Sequence, residues 1–196
     1  MISIGLDIGS VAAKGVLIQG GRQYQMMVPT GWSPRTAGEQ LIDDLLQSSG
    51  HRPHDVHSIV VTGYGRVAVM EASRTVTEIK CHARGVAELY PQIRTIIDIG
   101  GQDSKVIQID SQGRVVDFAM NDKCAAGTGR FLQVMANALG LDVSELAAYE
   151  DPEQAATINS MCTVFAESEI IGLLAQGVDK GSIIAGLHLS VGKRVA

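Results

Sequence analysis

Cysteine is scarce in this chain of 196 residues, with only Cys81, Cys124 and Cys162 present. An odd count excludes a closed disulfide framework. No cysteine belongs to a CxxC pair, which disfavours zinc. Three thiols also fall short of the four that a complete iron–sulfur site takes. Basic charge is short as well: the formal net charge is −5 and no basic patch stands out, so nucleic acid finds no electrostatic partner. No run reaches the roughly 18 apolar residues of a membrane span. The N-terminus has no basic region ahead of an apolar stretch and reads as a strand rather than a signal peptide, and the cytoplasm is the expected compartment. Low-complexity tracts and long linkers are absent, as are GxGxxG and GxxxxGK[ST]. Apolar residues at 45% and charged residues at 19% suit a well-packed domain or two small ones.

What is present is a repeat. Residues 2–8 form an apolar run ending in Asp7-Ile8-Gly9-Ser10, and a second run over 11–18 follows almost at once. Two strands joined so tightly form an antiparallel hairpin. A run from Thr95 ends in Asp98-Ile99-Gly100-Gly101-Gln102-Asp103, so the Asp-Ile-Gly pattern recurs 91 residues on. A lysine lies seven residues after each aspartate, at Lys14 and Lys105. Matched openings imply a duplicated domain. Glycine lets backbone N–H groups approach phosphate oxygens, and successive N–H groups in a tight turn make an anion-binding concavity. Asp7 and Asp98 are placed to hold Mg²⁺ through water, since that ion prefers oxygen ligands and keeps its hydration. Two such hairpins facing each other would grip a triphosphate from both sides. Gln102 and Asp103 are candidates to position water or Mg²⁺ near the last phosphate, or else to stabilise the turn.

Elsewhere the pattern predicts a strand at 22–29, a helix at 36–47, a strand at 58–62, a short helix at 67–73, an extended segment at 75–79 and a helix at 82–90. Pro91 to Arg94 is the natural boundary, giving domains at 1–92 and 93–196. The second half reads as strands at 95–99, 104–110 and 115–120, helices near 125–139 and 143–149, a loop at 151–162, and helices at 164–176 and 179–194. Trp32 is expected to pack. His51, His54 and His57 are expected to face solvent. Glu78 and Glu167 are both within reach of a nucleotide cleft, but Glu167 is read first as a solvated helix face or a helix-dipole residue.

Cys124 and Cys162 each stand at the start of a predicted helix, where the helix dipole favours thiolate, the metal-binding form. Both also suit small buried positions. Two thiols are half a ligand set, and a two-fold dimer would bring four together. Cys81 is expected to pack in the first domain.

The strings Gly5-Leu6-Asp7-Ile8-Gly9-Ser10, Thr62-Gly63-Tyr64-Gly65-Arg66, Ile97-Asp98-Ile99-Gly100-Gly101-Gln102-Asp103, and those around Cys124 and Cys162, span nearly the whole chain. With them the chain closely resembles the activators of 2-hydroxyacyl-CoA dehydratases, a family that also holds the ATPase subunits of benzoyl-CoA reductase. The resemblance implies an α/β fold of the actin/Hsp70/sugar-kinase type, built from duplicated ribonuclease H-like domains. It implies a homodimeric ATPase that uses ATP/ADP and Mg²⁺ and shares one [4Fe–4S] cluster between subunits through Cys124 and Cys162. The phosphate loops would be Gly9, Ser10, Val11, Ala12 and Lys14, and Gly100, Gly101, Gln102 and Asp103, with Asp7 also catalytic. Ferredoxin or flavodoxin would fill the cluster. Hydrolysis would rearrange the cluster-bearing helices, and a low-potential electron would pass to a dehydratase or reductase component. Val11 stands where relatives often carry threonine. Relatives also continue past Ala196, so the second domain is expected to be incomplete. A sugar or acyl kinase of the same superfold, which has no use for the two cysteines, and a non-catalytic truncated scaffold are the alternatives.

Overall fold

The computed structural model describes residues 1–149, 152–160 and 162–195. Chain contacts divide it into two compact units, Met1–Arg94 with Ile109–Val116, and Thr95–Gln108 with Asp117–Ala196.

The first unit is built on β1 (Ile2–Ile8), β2 (Ala12–Gln19), β3 (Arg22–Pro29), β4 (Val56–Thr62) and the two-residue β5 (Arg74–Thr75), in the order β3-β2-β1-β4-β5. β1 alternates buried and half-buried residues along its length, the two-residue period of a strand with one face on a core. It pairs antiparallel with β2 and parallel with β4. Against its buried face packs α1 (Pro34–Ser49) through Leu41, Ile42, Leu45 and Leu46. This helix begins where the sequence signals it: Ser33 caps by accepting from the Thr36 N–H at 3.2 Å, and Pro34 fills the first helical position. α2 (Glu78–Leu89) completes the unit.

α2 starts at Glu78, inside the segment 75–79 expected to be extended, and two further expectations fail here. Residues 67–73 are not a helix: a single 3₁₀ turn over Arg66–Ala68 leads to an extended Val69, which is buried against Gly38 of α1. So short a segment gains few intrahelical bonds for its nucleation cost, and burial of Val69 takes precedence. Trp32 does not pack and is fully exposed.

The second unit holds the sheet β6 (Thr95–Ile99), β7 (Ser104–Ile109) and β8 (Val115–Asn121), in that order. Its helices are α3 (Gly129–Leu139), α4 (Leu146–Tyr149), α5 (Thr163–Ala175) and α6 (Lys180–Val195). Phe131, Met135, Leu139, Ala166, Ile170, Ile183, Ile184 and Leu187 form their common core. The segment before α5 lies along α6: the Ala156 N–H donates to the Ser182 carbonyl at 2.8 Å, and a Cβ on Gly186 would collide with the Ala156 carbonyl. Overpacking should cost Gly186→Ala about 1–3 kcal/mol, against the ~1 kcal/mol that alanine gains in helix propensity, so a net destabilisation of up to about 2 kcal/mol is expected, read by urea unfolding. No helix among the described residues is long and apolar enough to cross a membrane.

Candidate functional site

The seven-residue spacing from aspartate to lysine has a geometric cause. In each hairpin the two residues lie directly across the antiparallel pair: Asp7 opposite Lys14, and Asp98 opposite Lys105. The turns match as well. The Gly9 N–H donates to the Ala12 carbonyl at 3.2 Å, and the Gly100 N–H to the Asp103 carbonyl at 2.8 Å. A Cβ on either glycine would come within 2.8 Å of Ala12 O or 2.5 Å of Asp103 Oδ1, so both turns are as tight as only glycine permits.

In both hairpins the turn carbonyls are drawn back into the protein. Gly9 O accepts from the Thr30 hydroxyl at 2.7 Å, Val11 O from the Thr30 N–H at 3.0 Å, and Ile8 O from the Gly65 N–H at 2.8 Å. Gly100 O and Gly101 O accept from the Gly129 and Arg130 N–H groups, each at 2.8 Å. Engaging the oxygens masks the negative side of a turn and favours approach of an anion to its N–H side. The second hairpin thereby uses the first two amides of α3, groups that a helix otherwise leaves unpaired.

The lysines are treated differently. Lys14 Nζ is 2.9 Å from Asp7 Oδ2, and its side chain is 50% exposed. Lys105 Nζ lies 3.1 Å from Asp98 Oδ2 and 2.7 Å from Asp103 Oδ1, and its side chain is 2% exposed. Asp103 is thus engaged with Lys105, while Gln102 is exposed at the turn. Ser10 and Val11 are at the surface of the first turn. Arg66 donates to the Gly63 carbonyl at 3.1 Å.

Cys162 is the N-cap of α5 and is exposed. Cys124 is not at a helix start: α3 begins at Gly129, and residues 122–128 are a loop. Asn121 holds that loop. Its Nδ2 donates to the Cys124 carbonyl at 2.8 Å and its Oδ1 accepts from the Cys124 N–H at 3.2 Å. The Thr128 hydroxyl donates to the Ala125 carbonyl at 2.6 Å. The helix dipole therefore acts on Cys162 alone, whereas at Cys124 the positive group is Arg194, whose Nη2 lies 3.8 Å from Sγ. Ala126 and Gly127 of one cysteine segment, and Ile158, Asn159 and Ser160 of the other, line a common cavity of about 220 Å³ in the second unit, with Arg194 at its wall.

Glu169 of α5 accepts from the Asn159 N–H at 2.9 Å and from the Ser160 N–H at 2.8 Å. Burial pushes its carboxyl up, but these bonds outweigh burial and hold it below the usual carboxylate range. Among the described residues no group of three or more His, Cys, Asp or Glu side chains converges as a metal site. One chain offers half of a tetra-cysteine set, with one exposed and one half-buried sulfur, which fits a group completed by a second copy. Cys81, the third thiol, lines a cavity of about 560 Å³ in the first unit. His51 Nε2 is 2.9 Å from Gln19 Oε1, while His54 and His57 are exposed. Lys105, Asn121, Arg194 and Glu169 were not singled out as site groups from the sequence. Only the repeat spacing pointed to Lys105, and the other three depend on tertiary neighbours.

Residues 4–196 match the BadF/BadG/BcrA/BcrD ATPase family. The chain belongs to that family. It is 46% identical over 198 residues to the 2-hydroxyisocaproyl-CoA dehydratase activator of Clostridioides difficile, covering all of this chain and 74% of that protein. Component A of the (R)-2-hydroxyglutaryl-CoA dehydratase of Acidaminococcus fermentans has a solved structure that superposes with a TM-score of 0.92 at 41% identity, over 100% of this chain and 76% of that one. The 2-hydroxyisocaproyl-CoA dehydratase activator from Clostridium difficile, solved with bound ADPNP, gives 0.89 at 46% identity, over 100% and 74%. The family fold is therefore the α/β, actin-like ATPase fold of the dehydratase activators.

Proposed function

We propose that this chain is an ATP-dependent activase. It binds ATP/ADP with Mg²⁺ and holds a [4Fe–4S] cluster between two copies through Cys124 and Cys162 of each. It passes a low-potential electron to a 2-hydroxyacyl-CoA dehydratase or a benzoyl-CoA-reductase-like component and is refilled by ferredoxin or flavodoxin. The observation that carries this reading is the convergence of both cysteine segments on one cavity of a unit that also contains a phosphate-type turn. The kinase alternative gives those two cysteines no task. The two units are read as the duplicated ribonuclease H-like domains.

When bound, the cluster supplies a one-electron donor whose potential depends on exposure and on hydrogen bonds to its sulfurs. The chain's own residues supply the rest. The turns at Gly9–Ala12 and Gly100–Asp103 offer N–H groups to phosphate, and Lys14 adds a mobile positive charge. Asp7, with a third of its side chain exposed, fits a water-mediated role at Mg²⁺, and Asp98 is its counterpart in the second hairpin. Gln102 orients water from its exposed turn. The hydrogen bonds from Gly129 and Arg130 to Gly100 and Gly101 make the start of α3 follow any movement of the second turn. The loop that ends there carries Cys124, and Asn121 with Arg194 keeps its sulfur in place.

Anaerobic reconstitution with iron and sulfide tests the reading. About four irons and four sulfides per two chains are expected, the content of one such cluster, with a brown colour that oxygen bleaches and with ATP hydrolysis. A colourless protein that turns over ATP onto a small-molecule acceptor would favour the kinase.

A further inference from the structure

Cys162 is exposed, and as the N-cap of α5 it has no side-chain cap of its own. The placement of its sulfur therefore depends on the chain entering the helix. That entry is fixed at two levels. Upstream, Ile158 packs against the helical core and the Ala156 N–H is bonded to Ser182 of α6. Nearer the cysteine, at Asn159 and Ser160, Glu169 takes the chain in a two-handed grip. Its Oε1 accepts from the Asn159 N–H at 2.9 Å and from Asn159 Nδ2 at 3.3 Å, while Oε2 accepts from the Ser160 N–H at 2.8 Å.

Helix geometry makes this possible. Glu169 stands seven residues after Cys162, two turns along on the same face of α5. Helical side chains lean toward the N-terminus, so the carboxylate reaches back toward the segment that feeds the helix tip. Two successive backbone N–H groups converging on one carboxylate form an anion nest, and bonds to a charged acceptor are the strong kind.

We propose that Glu169 is the positioning residue of Cys162: by clasping the Asn159 and Ser160 amides, it fixes the cysteine at the tip of α5 in the geometry that the shared cluster needs. This rests on the activase reading. It explains why a carboxylate serves where glutamine would not. Glutamine has one acceptor oxygen, and its amide would turn N–H toward N–H at one of the two contacts.

Glu169→Gln in the intact chain is the test, read in two ways. In the cluster-free protein, hydrogen exchange at the Asn159 and Ser160 amides should accelerate while α3 amides stay protected. In the reconstituted protein, loss of iron to a chelator under argon should quicken by about tenfold, the low end of what ligand-supporting groups contribute. Should Glu169→Gln fail to fold, Glu169→Asp keeps the charge but falls a methylene short and is expected to give the same pair of changes. Faster exchange with iron held as in the unaltered chain would make the clasp a structural tie only and overturn the proposal. Unchanged exchange would overturn it too. An unaltered chain that takes up no iron would sink the activase reading, and this inference with it.

Discussion

On the activase reading, Cys162→Ser is expected to abolish iron binding, while leaving the thermal stability of the cluster-free protein and its ATP hydrolysis close to those of the unaltered chain. Serine differs from cysteine by one atom, but its hydroxyl does not ionise to a soft, metal-binding anion near neutral pH, as a thiol does. In the proposed two-fold dimer each substitution would count twice, so half of the proposed ligand set would disappear. Packing has little at stake, because Cys162 is exposed and its side chain caps nothing. Exposed substitutions of this kind stay within about 0.5 kcal/mol.

Cys124→Ser should also lose the iron, with a larger stability cost, since its sulfur is half-buried beside the Arg194 guanidinium. Cys81→Ser should keep the iron, because Cys81 belongs to the other unit. Iron and sulfide analysis with visible absorbance reads all three. Full iron in Cys162→Ser would remove the exposed helix tip from the ligand set. Loss in Cys81→Ser would show that the set had been chosen wrongly.

That reasoning leans on Cys162, whose helix-tip position was legible because Thr163 onward is an uninterrupted helical run. Cys124 was misplaced for a local reason. Ala125 and Ala126 read as helix formers, but Gly127 takes a φ of 79° and Thr128 is extended. The Asn121 side chain also claims the loop backbone around them, so α3 starts only at Gly129. The hairpins were legible because an apolar run, a glycine turn and a fixed lysine spacing are all local in sequence. What the sequence could not separate was the fate of the two lysines, since that depends on the acid at position 103 and on what covers each strand. Glu169 was equally hidden: its partners lie nine and ten residues upstream, a pairing that exists only once the segment before α5 has folded back.

The two lysines give the other large effect. Lys105→Met should destabilise the protein by about 3–5 kcal/mol, the range for removing one partner of a buried charge cluster. Lys14→Met should cost less than about 1 kcal/mol, the range for an exposed pair. Lys105 is almost wholly enclosed, with carboxylate oxygens of Asp98 and Asp103 at 3.1 and 2.7 Å. Methionine fills similar space but leaves those two acids facing each other without the cation, so the loss is that of uncompensated charge rather than of volume. Lys14 has one acid at 2.9 Å, and half of its side chain is in solvent, so water takes over most of what it provides to stability. The functional consequence runs the other way. On the reading proposed above, the half-exposed Lys14 turns from Asp7 to a phosphate, so Lys14→Met should raise the KM for ATP in a protein of near-normal stability. Lys105 is committed to the turn, and its loss should reach ATP hydrolysis through the Gly100–Asp103 geometry and the α3 start bonded to it. Urea unfolding beside ATP kinetics separates the two. Equal destabilisation by both substitutions would mean that the duplicated motifs do the same job, and the division of labour drawn from their burial would fall.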